Sequence, residues 1–167
     1  MEIDPVAAIV ISKKKAQYGR FVDTKQWDKF NKHVALPDAQ YRFYDTNGRL
    51  LQAGTQELKF SATEPLTAFF SKFFAPAQTL HMFGPGDFEQ IGPDEVKAIF
   101  ALEDQVIVRG SGGLLEIRGG GYYHETWQRK DGDWFLKTLD MYRTYQKMSL
   151  MMTIVMTITG LLGISLV

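Results

Sequence analysis

Few residues in this chain can carry chemistry. There is no cysteine and there are three histidines, His33, His81 and His124, which excludes thiol nucleophiles, disulfides and cysteine-based zinc sites. The histidines lack the spacing of a ligand set, so no metal is expected. What remains is acid–base work. An imidazole is a useful base because its ordinary pKa, about 6.5, already lies near neutrality. It works better when a carboxylate holds one ring N–H, which bares the other nitrogen and steadies the imidazolium that forms. Removing a proton beside a carbonyl then needs no cofactor, only a donor for the growing oxyanion. Tyr18, Tyr41, Arg42, Arg109, Tyr122 and Tyr123 are the available donors. Taken singly, the residues read blandly. Asp23 near the end of a helical stretch is a cap or a solvated carboxylate, and His81 in an apolar run is a core residue.

The elements that must position these groups come in two blocks. From Asp4 to about Val22 the apolar residues fall mostly on helical spacing, behind Asp4 as N-cap and Pro5 in the first turn. Lys13 to Lys15 reads as a solvated face of that helix. A short second helix carries Trp27, Phe30 and Val34 and ends by Pro37. Residues 39 to 46 alternate as a strand before an Asn47-Gly48 turn. Over residues 65 to 75, Leu66, Phe69, Phe70, Phe73 and Phe74 form one broad aromatic face, with Phe70 placed in a pocket lining. Beyond Pro76 the pattern turns to strands: Thr79–Phe83, Glu95–Leu102, Leu114–Lys130 and Trp134–Tyr145. Gly-Pro, Gly-Ser-Gly-Gly and Asp-Gly turns separate them. Helices first and a strand meander later predict an α+β fold, with helices on one side of a curved antiparallel sheet. Alternation puts Tyr122 and His124 on one strand face and Tyr123, Glu125 and Trp127 on the other, without saying which looks inward.

Composition bounds the rest. At 167 residues, 45% apolar and 13% aromatic, the chain can bury one sizeable core. Nineteen basic residues balance nineteen acidic ones, which argues against nucleic acid as a partner. The opening MEIDPVAAIVISKKK is not read as a secretory signal, because its charges follow the apolar run. The chain is expected to divide into a domain over residues 1–147 and an apolar segment over residues 148–167. From Ser149 to Val167 the segment holds no charge, and as a helix it would span roughly 28 Å, close to a bilayer's hydrocarbon thickness. Arg143 and Lys147 would flank it on the cytosolic side, and Ser149, Thr153 and Thr157 recur as a small-residue face. The expectation is a tail anchor in an intracellular membrane below a cytosolic domain. The alternative is a tail folded back onto the domain.

Three stretches carry a resemblance: YGRFVDTKQWD from Tyr18 to Asp28, TLHMF from Thr79 to Phe83, and GGGYYHETWQRKDGDW from Gly119 to Trp134. In this order and spacing they resemble the SnoaL-like proteins of the nuclear transport factor 2-like superfamily, most of all scytalone dehydratase and hexachlorocyclohexane dehydrochlorinase. The resemblance covers residues 6 to 146 and implies a cone-shaped α+β fold. It implies that Asp23 orients His81 as a general base, and that Tyr18, Tyr41, Arg42, Phe70, Tyr122 and His124 meet substrate. The sequence also departs from both relatives. Val22 stands where the dehydratase has a second tyrosine, Val106 near its second histidine, and Tyr18 at the dehydrochlorinase's lysine. What the resemblance then implies is a cofactor-independent lyase or isomerase of dehydratase or cyclase type. It would act on an apolar, oxygenated small molecule of secondary metabolism, as a homodimer or homotrimer. The alternative is a non-catalytic module for a hydrophobic ligand or a protein partner.

Overall fold

The computed structural model describes residues 3–163. Helix α1 (Pro5–Asp23) starts where expected: the Asp4 side chain accepts from the Val6 N–H at 2.9 Å. Helix α2 (Trp27–His33) follows, then strand β1 (Ala35–Tyr44), the short strands β2 (Gln52–Ala53), β3 (Gln56–Glu57) and β4 (Lys59–Phe60), and the Phe-rich helix α3 (Thr63–Phe73). The meander is β5 (Ala77–Gly92), β6 (Glu95–Val108), β7 (Glu116–Lys130) and β8 (Asp133–Met148), and helix α4 (Leu150–Leu161) ends the described chain. The main sheet runs β4-β1-β8-β7-β6-β5. The helices cover one face of it, over a core that includes Ile11, Phe30, Phe100, Trp127, Leu136 and Leu139.

The sheet is mixed, not antiparallel throughout. β1 pairs with β8 in parallel, whereas the remaining pairs of the main sheet are antiparallel. The chain leaves β1 through a hairpin and α3 and completes three more strands before β8, so no tight turn dictates the direction of that pair. Strand lengths also differ from the sequence reading. Of the two Gly-Pro sequences, only Gly92-Pro93 lies at a turn, and the strand continues through Gly84-Pro85 with an irregularity between Phe83 and Gly86. An edge strand such as β5 tolerates a proline at a bulge. At the β7–β8 turn, Asp131 and Gly132 both take positive φ (51° and 82°), as a two-residue primed turn requires.

Two expectations fail on α1 and α4. Lys14 and Lys15 are buried and Val6 and Ile9 are exposed, so within the lysine run only Lys13 is solvated. Lys14 ties α1 to Asp133 at 2.6 Å and to the His33 carbonyl at 2.6 Å, and Lys15 pairs with Glu125 inside the core. The expected membrane-spanning tail is corrected as well. α4 has 12 residues, about 18 Å of helix against the roughly 30 Å of a hydrocarbon core, and Gly163 closes it at φ 65°. Among the described residues no helix is long and apolar enough to cross a membrane. Residues 164–167 of that expected segment lie outside the described residues. Ser149 caps α4 and donates to the Leu114 carbonyl at 2.6 Å, which fastens the helix to the sheet end. Thr153 and Thr157 spend their hydroxyls on α4's own carbonyls.

Candidate active site

Between the helices and the concave side of the sheet lies a cavity of about 240 Å³. Its wall is mostly apolar. Val22, Trp27 and Phe30 come from α1 and α2, Phe70, Phe73 and Phe74 from α3 and its end, and Met156 from α4. Both valines at the departures from the dehydratase, Val22 and Val106, are part of this wall and make it apolar at those positions.

His81 lines the cavity from β5. Asp23, the last residue of α1, reaches it with both oxygens. Its Oδ1 lies 2.7 Å from His81 Nδ1, and its Oδ2 accepts the His81 backbone N–H at 2.9 Å. Thr79 donates to the same Oδ1 at 2.9 Å, and Lys25 donates to the Thr79 hydroxyl at 2.8 Å. Lys25 sits at φ 59°, an uncommon backbone for a non-glycine residue, right where the chain leaves α1. A carboxylate only accepts, so in the neutral imidazole this contact favours the tautomer with the proton on Nδ1, which leaves Nε2 bare. His81 and Asp23 keep 8% and 13% of their side chains exposed, which shields the pair from bulk water. Phe83 stacks near the imidazole at 6.4 Å and Phe74 meets it edge-on at 6.3 Å.

The other expected site residues divide. Tyr18 and Phe70 line the cavity. Burial pushes the Tyr18 phenol well above its ordinary pKa, so it is a neutral donor there. Tyr41 is corrected: it is fully buried and bonds to Thr63 at 2.8 Å, while Thr63 donates onward to the Leu36 carbonyl. Arg42 is also corrected, since it forks onto Asp140 with two 2.6 Å bonds on the outer face. Tyr122 and His124 prove to be outward-facing: Tyr122 is 47% exposed, and His124 packs edge-on against Tyr142. The inward side of β7 is the other one, with Tyr123, Glu125 and Trp127 buried. Tyr123 lines the cavity in place of Tyr122. Arg109 is exposed in the turn after β6.

Sequence reasoning missed Asp104 and Arg143. Both line the cavity and form an ion pair at 2.7 Å. Arg143 entered the sequence reading only as a flank of the expected membrane segment. The available signal was Gly119-Gly-Gly121, because a Cβ at Gly119 would come within 2.5 Å of Arg143 Nη1. Among the described residues, no group of three or more His, Cys, Asp or Glu side chains is placed to hold a metal ion.

Comparison with known proteins agrees with this architecture. Residues 10–140 match the model of the SnoaL-like domain, and the chain belongs to that family. It is 41% identical over 148 residues to a protein named a probable cyclase from Gibberella zeae, covering 89% of this chain and 98% of that one. Among solved structures it is similar to a candidate scytalone dehydratase of Novosphingobium aromaticivorans, with TM-score 0.70 at 12% identity over 85% of this chain and 87% of that one. A hexachlorocyclohexane dehydrochlorinase of Novosphingobium barchaimii gives TM-score 0.68 at 15% identity over 87% and 91%. At such identities the structural likeness speaks to the fold alone.

Proposed function

We propose that this chain is a cofactor-independent lyase or isomerase of dehydratase or cyclase type. His81, oriented by Asp23, removes a proton beside a carbonyl of an apolar, oxygenated small molecule. The observation that carries this reading is the 2.7 Å contact of His81 Nδ1 with Asp23 at the wall of a mostly apolar cavity. The low exposure of the pair strengthens the attraction between the carboxylate and the imidazolium that forms. The likeness to a protein named a probable cyclase supports ring closure as one outcome of that proton abstraction. Elimination and double-bond migration begin with the same step. A place in secondary-metabolite biosynthesis and a homo-oligomeric assembly belong to the same proposal.

Proton abstraction can be read without the native substrate. We expect the protein to catalyse exchange of solvent deuterium into the carbon beside the carbonyl of 2-tetralone, followed by NMR. His81→Ala should abolish the enzymatic exchange, and Asp23→Asn should slow it by about 10²-fold or more. Both variants should keep the wild-type circular dichroism. Exchange at the wild-type rate in both would refute the base assignment. Binding of tetralone without exchange would favour a carrier of hydrophobic ligands.

A further inference from the structure

Arg143 and Asp104 differ from the other buried ion pair of the core. Lys15 and Glu125 are spent on each other and on their surroundings: Glu125 takes Lys15 at 2.5 Å and the Trp127 indole N–H at 2.9 Å. The Lys15 ammonium lies over the rings of Tyr18, Phe83 and Tyr123. Arg143 makes one contact, from Nη2 to Asp104 Oδ2 at 2.7 Å. Its Nε and Nη1, and Asp104 Oδ1, are buried with no hydrogen-bond partner among the described residues. The two side chains are only 10% and 6% exposed, and both residues form cavity wall. Buried donors left unmade are unfavourable, and such groups in a folded protein call for a ligand, ion or water to satisfy them.

The position of the pair says which ligand group it would receive. Asp104 stands opposite His81 in the β5–β6 register. Opposed residues of an antiparallel pair project from the same face with Cβ atoms about 4.5–5.5 Å apart. Arg143 comes from β8 and reaches over Gly119, whose own register partner is Asp104. A charged planar donor therefore lines the same cavity as the base, held by the residue opposite His81.

We propose that Arg143 is the oxyanion donor of this site and that Asp104 is the positioning residue that fixes its guanidinium. The inference rests on His81 as the base. It assigns the substrate to carbonyl compounds that react as enolates. The C–H bond beside the carbonyl breaks and its proton goes to Nε2 of His81. The electron pair moves into the C–C–O unit, and the oxygen takes the charge against the Arg143 N–H groups. No oxidant, reductant or co-reactant enters. Tyr18 and Tyr123 also line the cavity, but as neutral phenols, and a charge-assisted bond is the stronger one.

The test compares two probes of similar shape, 4-nitrophenolate as an enolate mimic and uncharged nitrobenzene, by calorimetry at a pH where the phenol is ionised. Wild-type protein should prefer the anion. In Arg143→Met/Asp104→Leu that preference should fall at least about tenfold while nitrobenzene binding stays unchanged. The polar, uncharged Arg143→Gln/Asp104→Asn carries the same expectation if the first double variant fails to fold. Asp104→Asn alone should lower the preference less, again without touching nitrobenzene. No anion preference in the wild type, or an undiminished one in the folded double variants, overturns the proposal. His81→Ala keeps the two readings apart: it should lose deuterium exchange yet retain the anion preference. If His81→Ala still exchanges deuterium, the base assignment fails whatever the preference shows.

Discussion

At Lys15, burial and pairing pull in opposite directions, and burial wins. Removal from water lowers the ammonium to about 8 from 10.5, although Glu125 pulls it back up. Burial likewise raises Glu125, against Lys15 and Trp127. Losing one partner leaves a bare charge in the core, so Glu125→Gln should destabilise the fold by about 3–5 kcal/mol in urea titrations. Replacing both, as in Lys15→Met/Glu125→Leu, should be neutral or stabilising. The pH dependence has a definite sign. Because the folded pKa lies below the unfolded one, Lys15 contributes stability that is present above about pH 10.5 and lost as pH falls through about 8. Unfolding free energy measured from pH 8 to 10.5 should therefore rise in the wild type relative to the double variant.

Strands β7 and β8 show how an element sets a site. The register between them slips at Thr126/Trp127 and again at Gly120/Gly121. Each slip inserts one residue into β8 and flips which alternate residues look inward. Leu136 is followed inward by Leu139, Met141 and Arg143, and after the second slip by Gln146 and Met148. Arg143 reaches the cavity just before that second slip. Gly121 makes the slip possible, since a Cβ there would stand 1.9 Å from the Tyr142 carbonyl oxygen and 2.9 Å from Arg143 Cα. Both contacts are backbone and cannot rotate away. Gly121→Ala should therefore cost at least about 2 kcal/mol by thermal or urea unfolding.

On the scale of the molecule, the cavity is closed by parts far apart in sequence: α1 and α2, the Phe helix, the sheet and the C-terminal helix. Met156 of α4 lines the cavity and Met152 is buried, while Leu150 and Leu161 stay exposed. The tail thus serves as one wall of the site. Deleting residues 150–167 should leave a cooperatively folding domain, because the hydrogen bonds fastening α4 to the sheet end run through Ser149, to Leu114 and Glu116. Nitrobenzene should bind to the shortened chain about three- to tenfold more weakly, reflecting the apolar surface lost.

Local chemistry decides much of this protein before any tertiary contact forms. Asp4-Pro5 starts α1, Asp131-Gly132 turns β7 into β8, and the phenylalanine spacing makes the aromatic face of α3. The order of three short motifs points to the family and to Asp23 with His81. Each of these signals spans a few residues, so a linear reading can find it. The rest depends on which surfaces meet. Alternation relates Tyr122 to Tyr123 but cannot say which faces the helices, and only packing against α1 turned Tyr123 inward and Tyr122 out. The lysine run looks solvated until Glu125, more than a hundred residues away, supplies the partner that lets Lys15 enter the core. A slip of register in β8 before Leu139, invisible to a period-two pattern, decides that Arg143 borders the cavity. An uncharged tail is equally suited to lipid or to a protein wall. The tertiary structure chose the wall, because Ser149 caps a helix of 12 residues whose Met156 lines the cavity.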